Sequence, residues 1–401
     1  LELPVLLQVI IKSSDRKGRK DLPLYFSLSQ TKSNQLLTNT YLVPIVLYNN
    51  GNPAAVSIYG GNGQSAVVNT IFASTLRGRL TDASNKPVVF VEVVLEAQTA
   101  QEATGIFLAS GSGQLTVQSD PNGYFETEIR AGRIIGSYQV VSSVPDNLAA
   151  TRATWNLTNT FGAGSAITPR GLVNQVAQVN TNFNNALVVF IGDEFGNPVP
   201  NIEVTFLIPR VTAAFASFLD VSDPKTTTVL TNIGGIATSP IMAANSVSGG
   251  YSATASAVFG GTTKTVTFSL NNNPDYSSLE FSVISPNVQI SAIANQNFAE
   301  DLVIQVTDPG YNPVPNVSVS FIAPTDSTLA TCFWGNSNSY VAITNATGYA
   351  VAPAPLAGKV KGNFVVNYNP KFPNRNPFSL LVFPDAPATI LPIYTSTPEV
   401  V

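Results

Sequence analysis

The groups on this chain with chemistry to offer are twenty-four carboxylates, one thiol, twenty Lys and Arg side chains and three Asn-x-Ser/Thr sequons. No histidine occurs in 401 residues, which excludes Ser-His-Asp and Cys-His catalysis and every His-containing zinc site. A single cysteine can build neither a Cys₄ cluster nor an intrachain disulfide. That residue, Cys332, sits in Thr331-Cys332-Phe333-Trp334, a setting for a small buried thiol rather than a nucleophile. Glycine-rich phosphate loops and the nucleophile elbow are both missing from the sequence. Glycoside hydrolysis needs two facing carboxylates, and no spacing here suggests such a pair. The expectation is a protein that is not an enzyme and takes no cofactor.

Binding chemistry is the remaining option. Asp220 with Asp223, and Asp301 with Asp308, could offer oxygen ligands to calcium, but Asp residues at these places read first as turn caps. The sequons begin at Asn156, Asn316 and Asn345, and Asn345, in a predicted turn, is the best glycosylation candidate. Trp155, Trp334 and Tyr394 read as core or groove anchors rather than carbohydrate platforms. The net charge of −4 argues against nucleic acid, and the basic run Lys12, Arg16, Lys17, Arg19 and Lys20 reads as a solvated hairpin tip. No run of 18 apolar residues predicts a membrane span, and an opening at Leu1 without Met reads as a mature or trimmed product.

The elements that carry these residues repeat. Val68-Asn69-Thr70-Ile71-Phe72 recurs as Val179-Asn180-Thr181-Asn182-Phe183 and as Ala294-Asn295-Gln296-Asn297-Phe298. Each Phe is followed ten residues later by an Asp (72 to 82, 183 to 193, 298 to 308), and each Asp five later by a Pro. An alternating segment comes next: Val91 to Leu95, Ile202 to Phe206, Val317 to Phe321. Period-two alternation of β-branched and aromatic residues predicts half-buried strands, and the Asp-to-Pro stretch between them carries turn residues. A second turn recurs at Asp120-Pro121-Asn122-Gly123, Asn232-Ile233-Gly234-Gly235 and Asn345-Ala346-Thr347-Gly348. Each unit closes on a strand beginning Trp155-Asn156-Leu157, Phe268-Ser269-Leu270 or Phe378-Ser379-Leu380. Hydrophobic residues at 44% supply real cores, while charged residues at 11% leave the surface to Asn, Ser, Thr and Gln. The predicted fold class is all-β: tandem immunoglobulin-like sandwiches over 53–162, 163–273 and 274–385.

The Asn-Thr-x-Phe entry, the Asp-x-x-Gly-Asn-Pro-Val-Pro hairpin and the closing aromatic-Ser-Leu strand resemble bacterial immunoglobulin-like repeats of the invasin and intimin type. The first copy departs from the pattern, with Ser84-Asn85-Lys86-Pro87 at its hairpin. The resemblance implies seven-stranded sandwiches acting as spacer, stalk or adhesive rod at an extracellular cell surface, and no catalysis.

The two ends differ from the middle. Residues 1–52 overlay loosely on a sandwich lacking its first strand, whose groove would be lined by Leu6, Val9, Ile11, Ile45 and Leu47. Pro387-Ala388-Thr389-Ile390 matches the unit opening Pro53-Ala54-Ala55-Val56, so 386–401 reads as a surplus first strand. Ala388, Ile390 and Tyr394 fall on one side of it, Leu391 and Ile393 on the other. A strand lent to another copy would cover an open sheet edge and join copies into a homopolymer filament. A cut inside a longer repeat array would leave the same half-units. The expectation is therefore a filament subunit, with an adhesin stalk fragment or a viral fibre protein as the alternatives.

Overall fold

The computed structural model describes residues 51–369 and 377–386 in full, together with the backbone of 24–32 and 35–43. Every regular element among them is a β-strand. Near the start, Leu24–Lys32 and Gln35–Val43 form an antiparallel hairpin, in register from Leu24 opposite Val43 to Lys32 opposite Gln35. Three sandwiches follow, each wired alike.

The second sandwich serves to describe all three. Ala166–Pro169, Val188–Gly192 and Ile236–Thr238 make a three-stranded sheet. The facing sheet has five strands in the order Asn174–Gln178, Thr262–Asn273, Gly249–Phe259, Glu203–Leu207 and Thr226–Leu230. Its first pair is parallel, with Asn174 opposite Ser269. The opening segment thus pairs in one sheet and then crosses to the other. A short pair, Ala216–Phe218 with Met242–Ala244, closes one flank. Sheets of five, three and two strands recur in the other sandwiches, so the seven strands implied by the resemblance become ten strand segments.

The repeated motifs have a backbone cause. Asn69, Asn180 and Asn295 all hold left-handed backbone, with φ of 62°, 60° and 63°. Asn tolerates that region far better than branched residues do, which accounts for its place in each entry motif. In the second turn, the side-chain oxygen of Asp120, Asn232 or Asn345 accepts the amides two and four residues on, at 2.7 to 3.1 Å. The glycine inside it (Gly123, Gly235, Gly348) has φ of 80°, 70° and 76°. A Cβ at Gly123 or Gly235 would also sit 2.6 Å from the carbonyl oxygen of Leu80 or Ile191.

Alternation decides the burial. Val93 and Leu95, Val204 and Phe206, and Val319 and Phe321 are fully buried, while the residues between them face outward. Trp155, Phe268 and Phe378 are the closing-strand anchors of three separate cores. The Trp155 indole donates to the Gly60 carbonyl at 2.9 Å.

One buried position shows how the three cores differ. In the second sandwich, Tyr251 donates its hydroxyl proton to Asn272 Oδ1 at 2.8 Å. The third holds Phe364 and Val382 at those places, so both polar groups are replaced together. In the first, Tyr138 and Asn159 are present, but the Tyr138 hydroxyl and Asn159 Oδ1 have no hydrogen-bond partner. Burial raises both phenols above their ordinary value, so both are neutral donors at physiological pH. The same substitution should therefore have opposite effects at equivalent sites. Tyr251→Phe orphans a buried amide oxygen and should cost about 1–3 kcal/mol, whereas Tyr138→Phe removes an unsatisfied hydroxyl and should be neutral or stabilising. Calorimetric unfolding of the full chain with either substitution distinguishes the two.

Candidate functional site

The chain divides into two compact units, Leu1–Ala163 with Asp193–Asn197, and Gly164–Gly192 with Pro198–Val401. In the first unit, the hairpin Asp193–Asn197, which follows a strand of the second sandwich, is held against the first. Asp193 Oδ1 accepts the amides of Phe195 and Asn197, both at 2.9 Å, which closes the turn. Asp193 Oδ2 accepts the amide of Gly162, at the end of the first sandwich, at 3.0 Å. The Asn197 side chain donates to the Arg133 carbonyl at 2.8 Å and accepts from the Ile135 amide at 3.2 Å. Its second proton is shared by the two oxygens of Asp193, at 3.1 and 3.0 Å. The Arg133 guanidinium lies 5.5 Å from the Phe195 ring centre.

The second unit contains the same clasp between the second and third sandwiches. Asp308 Oδ1 accepts Gly310 and Asn312 amides at 2.9 Å, and Oδ2 accepts the Asp275 amide at 3.1 Å. Asn312 donates to the Ser246 carbonyl at 2.9 Å and accepts from the Ser248 amide at 2.8 Å. In both clasps the amide reads one carbonyl and, two residues on, one N–H of the same loop. Asp193, Asn197, Asp308 and Asn312 are all at most 5% exposed. A buried carboxylate is tolerable only when its lone pairs are occupied, and four donors reach each of these.

At the first sandwich the equivalent hairpin differs at the amide position. Asp82 Oδ1 closes the turn on the Ser84 and Lys86 amides at 2.9 Å. Gly51 passes so close that a Cβ there would lie 2.8 Å from Asp82 Cβ. The amide position, however, is the exposed Lys86, which has donors but no acceptor. The departure seen in the sequence thus falls on the residue that reads the neighbouring loop.

The other residues singled out in the sequence are placed as follows. The groove residues Leu6, Val9, Ile11, Ile45 and Leu47, the donor residues Ala388, Ile390, Leu391, Ile393 and Tyr394, and the basic run lie outside the described residues. Asn156 is exposed on strand Thr154–Thr160, and its Oδ1 accepts from Gln139 at 3.0 Å. Asn316 is exposed at φ 62°, and exposed Asn345 caps its turn as described above. Cys332 is buried in the third core, which pushes its thiol up to about 12. Trp334 is half-buried: its indole donates to Pro353 O at 2.6 Å and its ring tilts against Tyr340 at 6.0 Å. Asp308 is spent on the clasp, Asp301 accepts the Ala354 amide at 2.8 Å and Asp223 that of Lys225 at 2.9 Å. No cluster of three metal-ligating side chains occurs among the described residues. Asn197 and Asn312 were read in the sequence only as turn formers. Their recurrence four residues after the Asp was the available signal for the clasp.

No family model and no curated protein sequence matches the chain. Among solved structures, FdeC, an adhesin of Escherichia coli, is 15% identical, with 84% of this chain and 100% of that one covered at a TM-score of 0.43. InvD of Yersinia pseudotuberculosis is 14% identical over 78% and 92% of the two chains at 0.41. Invasin, a bacterial integrin-binding protein, is 15% identical over 82% and 60% at 0.37. The structures it resembles include bacterial adhesins and invasin, and also the alpha-2-macroglobulin of Escherichia coli and the S-layer protein SbsC. At such scores the likeness carries no argument, and the fold of this chain rests on its own strand order.

Two outcomes follow from the clasp. Asn312→Ala removes the bridging amide without touching a core. It should cost about 1–3 kcal/mol and make residues 273–276 more susceptible to protease, read by calorimetry and limited digestion. Burial by itself would raise the Asp193 carboxyl, but hydrogen bonds from Gly162, the Asn197 side chain and the turn amides outweigh it and hold the group below its ordinary value. A depressed carboxylate contributes stability above its unfolded pKa and loses it as pH falls through the folded one. The first unit should therefore weaken below about pH 4, and Asp193→Asn should flatten that part of the acid profile of thermal unfolding.

Proposed function

We propose that this chain is a non-catalytic spacer: a run of clasped immunoglobulin-like sandwiches in the extracellular stalk of a surface adhesin. The observation that carries this reading is the Asp308–Asn312 clasp between the second and third sandwiches, made by buried side chains, whose hydrogen-bond pattern recurs at Asp193–Asn197. A clasp of this kind limits motion between the second and third sandwiches, as a spacer requires, and each sandwich keeps its own closed core. The chain's lack of histidine and of nucleotide motifs agrees with a mechanical role. Small-angle scattering of the full chain and of the Asn197→Ala/Asn312→Ala variant tests it. The wild type should have one well-defined maximum dimension, and the variant a broadened distance distribution with unchanged strand content. Indistinguishable profiles would remove the clasp as a stiffening element.

A finer reading concerns residues 386–401. Their motif Pro387-Ala388-Thr389-Ile390 repeats Pro53-Ala54-Ala55-Val56. In the first sandwich that segment opens strand Pro53–Gly60, with Ala55 opposite Thr81 and Val56 opposite Leu80. A segment of this type needs a second strand to pair with. We infer that it pairs with another copy, with Ala388, Ile390 and Tyr394 entering a groove formed by Leu6, Val9, Ile11, Ile45 and Leu47. Sedimentation of the chain with and without 386–401 tests this: only the longer form should polymerise with concentration, and a monodisperse full chain would end the polymer reading.

A further inference from the structure

The three-stranded sheet of the first sandwich bears, on its outer face, a set of side chains that its sister sandwiches lack. Arg77 and Arg79 stand two residues apart on strand Leu76–Asp82 and share one face. Tyr124 lies directly across from Arg79. Both guanidinium groups pack on its ring, 4.8 and 5.2 Å from the ring centre. Tyr59, 54% exposed, stands edge-on to the same ring with centroids 4.9 Å apart. Arg79 Nε donates to the Asn122 carbonyl at 3.1 Å, which fixes that guanidinium in place. One carboxylate, Glu126, is across the ladder from Arg77, yet among the described residues neither arginine is held in an ion pair.

Strand register identifies the equivalent positions elsewhere. The second sandwich has Val188, Phe190 and Ile236 there, with a single arginine, Arg170, 5.5 Å from the Phe190 ring centre, and the third has Val303, Gln305 and Tyr349. The fold is satisfied without two arginines on this face, so they answer to something else. Two like charges on one aromatic ring repel each other, an unusual arrangement in a chain with only 11% charged residues. An anion seated between them turns that repulsion into attraction, and a guanidinium fork matches the two oxygens of a carboxylate. Beside them Tyr59, exposed at the edge of the group, provides flat apolar surface with a polar tip, suited to the face of a sugar ring. We propose that this face binds a carboxylated polysaccharide, a polymer of uronic-acid type. The site goes beyond the spacer reading, since a spacer needs no such face, and its test is independent of chain stiffness.

The experiment is calorimetric titration of the full chain with oligogalacturonate at 50 and 300 mM NaCl, with neutral dextran and dextran sulfate in parallel. Saturable binding to oligogalacturonate, weakened at least threefold at the higher salt, is expected, with none to dextran. Arg77→Gln/Arg79→Gln should lose at least tenfold in affinity, Tyr59→Ala about threefold, and Lys264→Gln on the second sandwich nothing. If the double glutamine variant unfolds, the charge-preserving Arg77→Lys/Arg79→Lys variant replaces it and should lose at least threefold, because the fork is gone. Absence of saturable binding, full affinity in these arginine variants, or equal affinity for dextran sulfate, which has no carboxylate, would overturn the proposal.

Discussion

The structure depends on a buried carboxylate that opens a recurring hairpin and gathers hydrogen bonds from the chain around it. Asp193 and Asp308 each accept two amides from their own turn, one from the chain leading in, and the side-chain N–H of an asparagine. Burying a charge without such donors would be prohibitive. Once the donors are supplied, the carboxylate fixes three things together: the hairpin's shape, the path of the linker, and the orientation of the amide that reads the neighbouring loop. A local turn device thereby becomes a joint.

Three copies of one fold in a single chain allow each position to be judged against its sisters. Backbone-determined positions hardly vary: the left-handed Asn of the entry and the turn Gly persist because few residues accept their φ. Core positions vary in size but remain apolar, as at Trp155, Phe268 and Phe378. Buried polar groups change as pairs, as Tyr251 with Asn272 becomes Phe364 with Val382, because one partner left alone is costly. Against that background, Lys86 in a clasp position and two arginines on one sheet face are departures that packing does not require.

Much of the fold was legible in the residues. Alternation at Val93-Val94-Leu95 and Ile202-Glu203-Val204-Thr205-Phe206 set which face is buried, since side chains alternate along any strand. Constant Phe–Asp–Pro offsets reported the repeat, because a fixed hairpin fixes a fixed spacing. The split opening strand was not legible: whether Ala166–Pro169 and Asn174–Gln178 pair with one sheet or two depends on partners distant in sequence. The arginine–tyrosine face was hidden for the same reason, since Tyr59, Arg77 and Tyr124 lie on three strands and meet only through register.

By itself, then, the sequence determined that the chain is all-β and repetitive, without histidine chemistry, with Asp, Asn and Gly at its turns. These are consequences of local sterics and of period-two burial, which act within a few residues. Only the tertiary structure decided that the turn aspartates are buried and that the Asn197 and Asn312 side chains reach the Arg133 and Ser246 carbonyls. A hydrogen bond from Asn312 to Ser246 spans 66 residues of chain, and no local preference encodes a contact that exists only after two sandwiches have folded and met.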